Sequence, residues 1–308
     1  MIDISRVLPA ARLLVVTPAL LVAAACEVNL NTEGISARET RTFQVAGAPE
    51  VALDTFDGAI EVHSWDRAEV EVEIEKRAME QRLIDEMTVT AEQTGDRIVV
   101  KVAGPSRREF SGVTVGVHIS PTARLRVVVP RAVTLEAVTG DGAIQLEDLE
   151  GRVTARTSDG SIRALRVAGE LTARTSDGSI RMERVSGRLD LETSDGSIVL
   201  EARPSLLKAK TGDGSIRVQV APDAEMAEDW DLQTGDGSIV LTLPAAFDAT
   251  IDAETRDGRV TARHPALATE SRDGEDRDER RRRLTATLGT GGKLLRLRSG
   301  DGSIRIEN

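Results

Sequence analysis

Between residues 150 and 200 apolar and polar positions alternate in short runs, the two-residue period of a half-buried strand. Val153, Ala155 and Thr157 fall on one face, with Thr154 and Arg156 on the other. Leu171, Ala173 and Thr175 repeat that set, and Leu189, Leu191 and Thr193 repeat it again. A second short alternation follows each set: Ile162 and Ala164, then Ile180 and Met182, then Ile198 and Leu200. The phase then slips, so that Leu149, Val167 and Val185 point inward, which predicts a bend or bulge inside each unit. Upstream, Ala68–Glu75, Arg97–Val102 and Ala123–Val129 also alternate and predict strands, whereas Arg77–Met87 is the one stretch that predicts a helix.

The strands are punctuated by Asp-Gly pairs. Asp141-Gly142, Asp159-Gly160, Asp177-Gly178, Asp195-Gly196 and Asp213-Gly214 recur every 18 residues. Further pairs stand at Asp236-Gly237, Asp257-Gly258 and Asp301-Gly302, with an early one at Asp57-Gly58. The unit reads Thr-x-Asp-Gly-x-Ile, and a second glycine set, Gly151, Gly169 and Gly187, falls halfway between. Such self-similarity marks a repeat architecture. Asp-Gly is also a hairpin signal, but a translational repeat of identical strands is better met by parallel coils that stack like on like. The expected fold is all-β: a right-handed parallel β-solenoid of about 18-residue coils. In its turns glycine is expected to supply positive φ, and Asp to hydrogen-bond its own turn. Residues 136–308 form the repeats and 42–135 an N-terminal β region that caps the first coil, since an open end exposes strand edges. After Ala221 the spacing loosens, and a charged, disordered insert is expected at about 267–284, including Arg280–Arg283.

Residues 1–25 carry Arg6 and Arg12 ahead of an apolar run, Leu13–Ala25, that contains Pro18 and ends in Ala23-Ala24-Ala25. This is the pattern of a secretory signal peptide. Cys26 follows at once and resembles the lipidated cysteine of a bacterial lipobox, with Ala23 standing where Leu is usual. The resemblance implies a diacylated Cys26 and a membrane-bound chain, with residues 26–41 as a flexible tether. Glu27 in place of Asp points to the outer membrane.

Composition narrows the chemistry. Aromatic residues make up 2% of 308 residues, against 40% hydrophobic, which fits a thin core of Val, Ile, Leu and Ala. The net charge of −11 is a poor match for nucleic acid. Cys26 is the sole cysteine and His63, His118 and His264 are scattered, so no disulfide and no zinc site is expected, nor any cofactor.

Phe56-Asp57-Gly58-Ala59-Ile60-Glu61-Val62, then Ser64-Trp65-Asp66 and the Thr-x-Asp-Gly-x-Ile series, resemble the bacterial putative-adhesin β-strand-repeat family, a domain of unknown function. The resemblance covers most of residues 42–308. It implies a β-solenoid and attachment at a surface, and it supplies no catalytic residue.

Three patterns are candidate sites. Asp159, Asp177 and Asp195 would line one edge, where close carboxylates attract calcium, although one Asp per turn offers few oxygens. Paired acids on a β-helix also serve polysaccharide hydrolysis, yet identical environments give no acid and base of different pKa. Arg163, Arg181, Arg217 and Arg305 share the place after the turn Ile and could hold phosphate or carboxylate groups, or simply keep the face soluble. Arg156 and Arg174 start a second stripe that Glu192 and Lys210 interrupt. Trp65 and Trp230 read as partner contacts or, more simply, as anchors of caps and loops. The function expected is non-catalytic: adhesion or surface binding by an exported lipoprotein whose partners are the membrane and an envelope protein or polysaccharide. A periplasm-facing interaction or stress-sensing module is the alternative, with a polysaccharide-acting enzyme further behind.

Overall fold

The computed structural model describes residues 28–31, 34–105, 120–267 and 282–308. Residues 1–25, read as a signal peptide, Cys26 and most of the expected charged insert lie outside the described residues. Strands dominate, and the only described helix longer than a single residue is the short Gln81–Glu86, inside the stretch read as helical. Among the described residues no helix is long and apolar enough to cross a membrane.

The chain is all-β and solenoid-like: two long sheets face each other across one core. In the first sheet, Ile60–Trp65 pairs in parallel with Ile144–Glu147, and that strand with Ile162–Leu165. The ladder continues through the front halves of Ile180–Glu192 and Ile198–Thr211, then Ile216–Val220 and Ile239–Thr242. The register joins like to like. Ile60, Ile144, Ile162, Ile180, Ile198, Ile216, Ile239 and Ile304 form one row, each 0% exposed. The second sheet stacks Ala132–Thr139, Glu150–Arg156, Ala168–Arg174 and the rear halves of the two long strands. Its inward rows are Leu135, Val153, Leu171, Leu189 and Leu207, and beside them Ala137, Ala155, Ala173, Leu191 and Ala209. Small aliphatic side chains fill so narrow a space, which is why few aromatics are needed.

The phase slip has a local cause. Asp148, Arg166 and Arg184 adopt φ of 60°, 54° and 53°, and each is followed by a buried residue, Leu149, Val167 or Val185. One left-handed residue breaks the alternation and turns the chain from the first sheet into the second. Gly169, three residues past Arg166, has φ +120°, and a Cβ there would lie 2.2 Å from the Gly151 carbonyl oxygen. Glycine is required at this bend on both counts.

The ladder departs from chain order at both ends. Glu50–Thr55 and Ile60–Trp65 lie between the rung made by Arg97–Ala103 and Thr122–Pro130 and the rung made by Ala132–Thr139 and Ile144–Glu147. At the other end the last coil in sequence, Leu294–Ser299 with Ile304–Glu307, is inserted between the coils of residues 230–242 and 249–263. The residue 42–135 region therefore supplies rungs of the common ladder as well as a cap, and pairing runs unbroken across residue 135. The cap is antiparallel: Glu69–Ala78 covers Thr122–Pro130, Gly34–Gln44 covers Glu69–Ala78, and Val28–Asn31 follows. This corrects the flexible tether expected over residues 26–41: residues 28–31 and 34–41 are paired strands, because the edge of Glu69–Ala78 offers backbone partners to the second of these and the second offers them to the first. The second sheet is closed by Thr88–Thr94 at one end and Arg283–Leu288 at the other, both antiparallel. Among the described residues Val260–Arg263, the last strand of the first sheet, pairs only with Ile304–Glu307.

Candidate functional site

The turn edge is built on threonine. Thr157 Oγ1 donates toward the Gly140 and Gly142 carbonyls of the preceding coil at 2.8 and 2.9 Å, and accepts from Gly160 N at 3.2 Å. Thr175, Thr193, Thr211 and Thr234 repeat the arrangement, so a row of buried hydroxyls stitches each turn to the one below. This corrects two expectations. The Asp159, Asp177 and Asp195 carboxylates accept no hydrogen bond from their own turns among the described residues; the turn is capped by Thr Oγ1. Gly142, Gly160, Gly178, Gly196, Gly214, Gly237 and Gly302 also do not have positive φ. Glycine is demanded there by stacking: a Cβ on Gly178 would lie 1.9 Å from the Gly160 carbonyl oxygen.

The turn aspartates Asp141, Asp159, Asp177, Asp195, Asp213, Asp236 and Asp301 point outward and are exposed, one per coil. Among the described residues no three His, Cys, Asp or Glu side chains converge as they would around a metal ion. Asp57, half-buried in its turn, is the exception in environment: partial burial and the neighbouring Asp141 raise its pKa above the ordinary carboxylate value, against a backbone hydrogen bond from Gly58 that lowers it.

The two arginine stripes differ in kind. On the second sheet, Arg156 pairs with Glu136 at 2.8 Å, Arg174 with Asp190 and Glu192 at 3.3 Å, and Lys210 with Glu192 at 3.3 Å. Arg298 continues this with Asp252 at 2.5 Å. Burial works to raise the Glu192 carboxyl, but hydrogen bonds from Lys210 and Arg174 hold its pKa below the ordinary value. That face is neutralised by its own charges. On the first sheet the register sets Arg163 beside Arg181, then Val199, Arg217, Val240 and Arg305. These four arginines are exposed, and none has an ion-pair partner among the described residues. Insertion of the last coil places Arg305 two rungs from Arg217, so the row spans about 24 Å at the usual strand spacing.

The tryptophans are structural. Trp230 is 0% exposed and packs against Phe247 at a centroid distance of 5.6 Å. Trp65 donates from Nε1 to the Glu69 carbonyl at 2.8 Å, with Arg67 4.6 Å above its ring.

A groove of about 760 Å3 opens at the free end of the first sheet, where Arg259 and Arg305 stand with Ser238, Ser303, Asp257 and Asp301. Of these, Ser238, Ser303 and Arg259 lie outside the set derived from the sequence, and among the three only Arg259 is charged. Its signal is a departure from the repeat: Thr255-Arg256-Asp257-Gly258-Arg259-Val260 carries Arg where the other turns carry Ser or Ala.

The Toastrack DUF4097 family profile matches residues 42–307. No curated protein sequence matches the chain. Among solved structures, a putative adhesin from Bacteroides fragilis is 12% identical, with 87% of this chain and 96% of that chain covered and a TM-score of 0.42. A putative adhesin from Parabacteroides distasonis is 11% identical, with 87% and 96% covered and a TM-score of 0.36. A putative lipid binding protein from the same species is 13% identical, with 88% and 97% covered and a TM-score of 0.34.

Proposed function

We propose that this chain, which belongs to the Toastrack DUF4097 family, is a non-catalytic binding protein of the bacterial cell envelope. In this reading acyl chains on Cys26 hold it on the outer membrane, and right-handed coils of about 18 residues present a rigid face to an envelope protein or polysaccharide. One observation carries the reading. The outward arginines of the first sheet, Arg163, Arg181, Arg217 and Arg305, have no ion-pair partner among the described residues, while the comparable stripe on the second sheet is neutralised in place. Fixed cations repeated at rung spacing match a polymer that repeats its own phosphate or carboxylate groups. The turn carboxylates, by contrast, repeat in near-identical exposed settings, which separates no acid from a base.

Protease shaving of intact cells, with a tag on Asn308 and a periplasmic control protein, tests the location. Loss of the tag while the control survives supports surface binding. Protection until the outer membrane is opened would replace it with a periplasm-facing interaction module. Fatty-acid labelling that persists in Cys26→Ser would refute the anchor. Unchanged binding of cells or envelope polymer by Arg163→Gln/Arg181→Gln/Arg217→Gln would remove the arginine row from the account.

A further inference from the structure

We propose that the groove at the free end of the first sheet is a site for an acidic saccharide, a sugar residue bearing a carboxylate or phosphate. It rests on the reading of the chain as a binding protein and shares Arg305 with the arginine row, but it does not rest on Arg163, Arg181 or Arg217. Three observations converge. First, the repeat changes where the ladder stops: the position after the turn glycine is Ser161, Ser179, Ser197, Ser215, Ser238 and Ser303 in successive rungs, and Arg259 in the last. Val260–Arg263 is the last rung of that sheet among the described residues, and Arg259 lines a groove that lies over the outward face of the last three rungs, beside Ser238 and Val240, Ser303 and Arg305, and Thr261.

Second, the charges are sorted within the groove. Arg256 binds Asp301 at 3.0 Å and approaches Asp257 at 3.9 Å, which occupies the two carboxylates with one guanidinium. Arg259 and Arg305 are left without ion-pair partners among the described residues, and both line the same groove. An oxyanion placed between them would receive charge-assisted hydrogen bonds, the strongest the site can make.

Third, the rest of the lining suits hydroxyls. Ser238 Oγ accepts from Ser303 N at 3.4 Å and keeps its own proton to donate, Ser303 stands beside it, and the second oxygens of Asp257 and Asp301 can accept. A site for a bare anion would gain nothing from two carboxylates, whereas a sugar offers hydroxyl donors to them. The volume of about 760 Å3 lies in the range of small-molecule clefts. No aromatic residue lines it, so recognition depends on charge and hydrogen bonds and weakens with salt.

Isothermal titration of the full chain with trigalacturonate, glucose 6-phosphate, maltotriose and inorganic phosphate tests the assignment. At least one of the two acidic sugars is expected to bind at least tenfold more tightly than maltotriose and inorganic phosphate, and the tighter of the two identifies carboxylate or phosphate as the anionic group. Arg259→Ser, which restores the residue of the other turns and so preserves the fold, and Arg305→Gln are each expected to weaken it at least tenfold. Binding of neither acidic sugar, equal binding of inorganic phosphate, or unchanged binding in both variants would overturn the proposal. Arg163→Gln/Arg181→Gln separates the two readings: lost saccharide binding there, with Arg259→Ser unaffected, would overturn the groove and keep the row. The opposite result supports the groove whatever becomes of the row.

Discussion

Replacing Gly178 by Ala tests why the turns need glycine. A Cβ at Gly178 would sit 1.9 Å from the Gly160 carbonyl oxygen, 2.5 Å from its carbon and 2.9 Å from Ser161 N, all backbone atoms. The rungs must part by about 1 Å or more to restore van der Waals contact. Overpacking of this kind costs about 1–3 kcal/mol. The parting also stretches the bonds that join the two turns: Ser176 N to Ser158 O at 2.7 Å, and Thr175 Oγ1 to Gly160 O at 2.9 Å. Losing most of two such bonds adds about 1 kcal/mol each. Against this, Ala lowers the entropy of the unfolded chain by about 0.4–1 kcal/mol. The net expectation is a loss of about 3 kcal/mol. Gly95→Ala is the control: φ there is +61° and nothing lies within 4 Å of the added Cβ, so only backbone strain of about 1 kcal/mol applies. Urea unfolding of the soluble chain, followed by far-UV circular dichroism, compares the two. A Gly178→Ala midpoint at or above that of Gly95→Ala would refute the stacking argument and reinstate backbone conformation as the reason for glycine.

Thr175→Val keeps the shape but leaves Gly178 N and the Ser158 and Gly160 carbonyls short of a partner, so it is expected to cost about 1–3 kcal/mol in the same urea assay, with Thr175→Ser milder. A chain ending at Thr290 loses Leu295, Leu297, Ile304 and Ile306, all 0% exposed. At about 1.5–3 kcal/mol each, their loss approaches the whole stability of a domain. Limited proteolysis should find that truncated chain degraded where the full chain survives, whereas equal resistance would show that the inserted coil is dispensable. Asp57 has a raised pKa in the folded chain, so its ionisation opposes folding: stability falls as pH rises from the ordinary carboxylate value of 3.8 through the folded value. Asp57→Asn is therefore expected to raise the melting temperature at neutral pH and to remove that part of the pH dependence; a lower melting temperature at pH 7 would contradict it.

The apolar rows, the phase slip and the halfway glycines could all be read from residue spacing, because a strand's two faces and a parallel register follow from period alone. The threonine of Thr-x-Asp-Gly-x-Ile was visible as a repeated inward residue, but its role in capping the turn was not. Its bonds reach the carbonyls of another coil, and local sequence pointed to the aspartate beside it. The same holds for the turn glycines, whose constraint lies one rung away and not in their own φ. The arginine row was visible as a series, whereas its lack of partners depends on which acids the fold places nearby.

What the sequence determined by itself is the make-up of the rung: short strands, an Asp-Gly turn, an aliphatic interior and a polar exterior, while the structure decided that each rung has two strands. What only the tertiary structure decided beyond this is the order of the rungs. Coils of nearly the same pattern bury the same surface against any neighbour, so the repeat cannot say that residues 294–307 enter between 230–242 and 249–263, or that residues 50–65 enter between later coils. That order follows from the segments that do not repeat: antiparallel caps that close the ends of the sheets, and a last strand, Val260–Arg263, with one neighbour among the described residues.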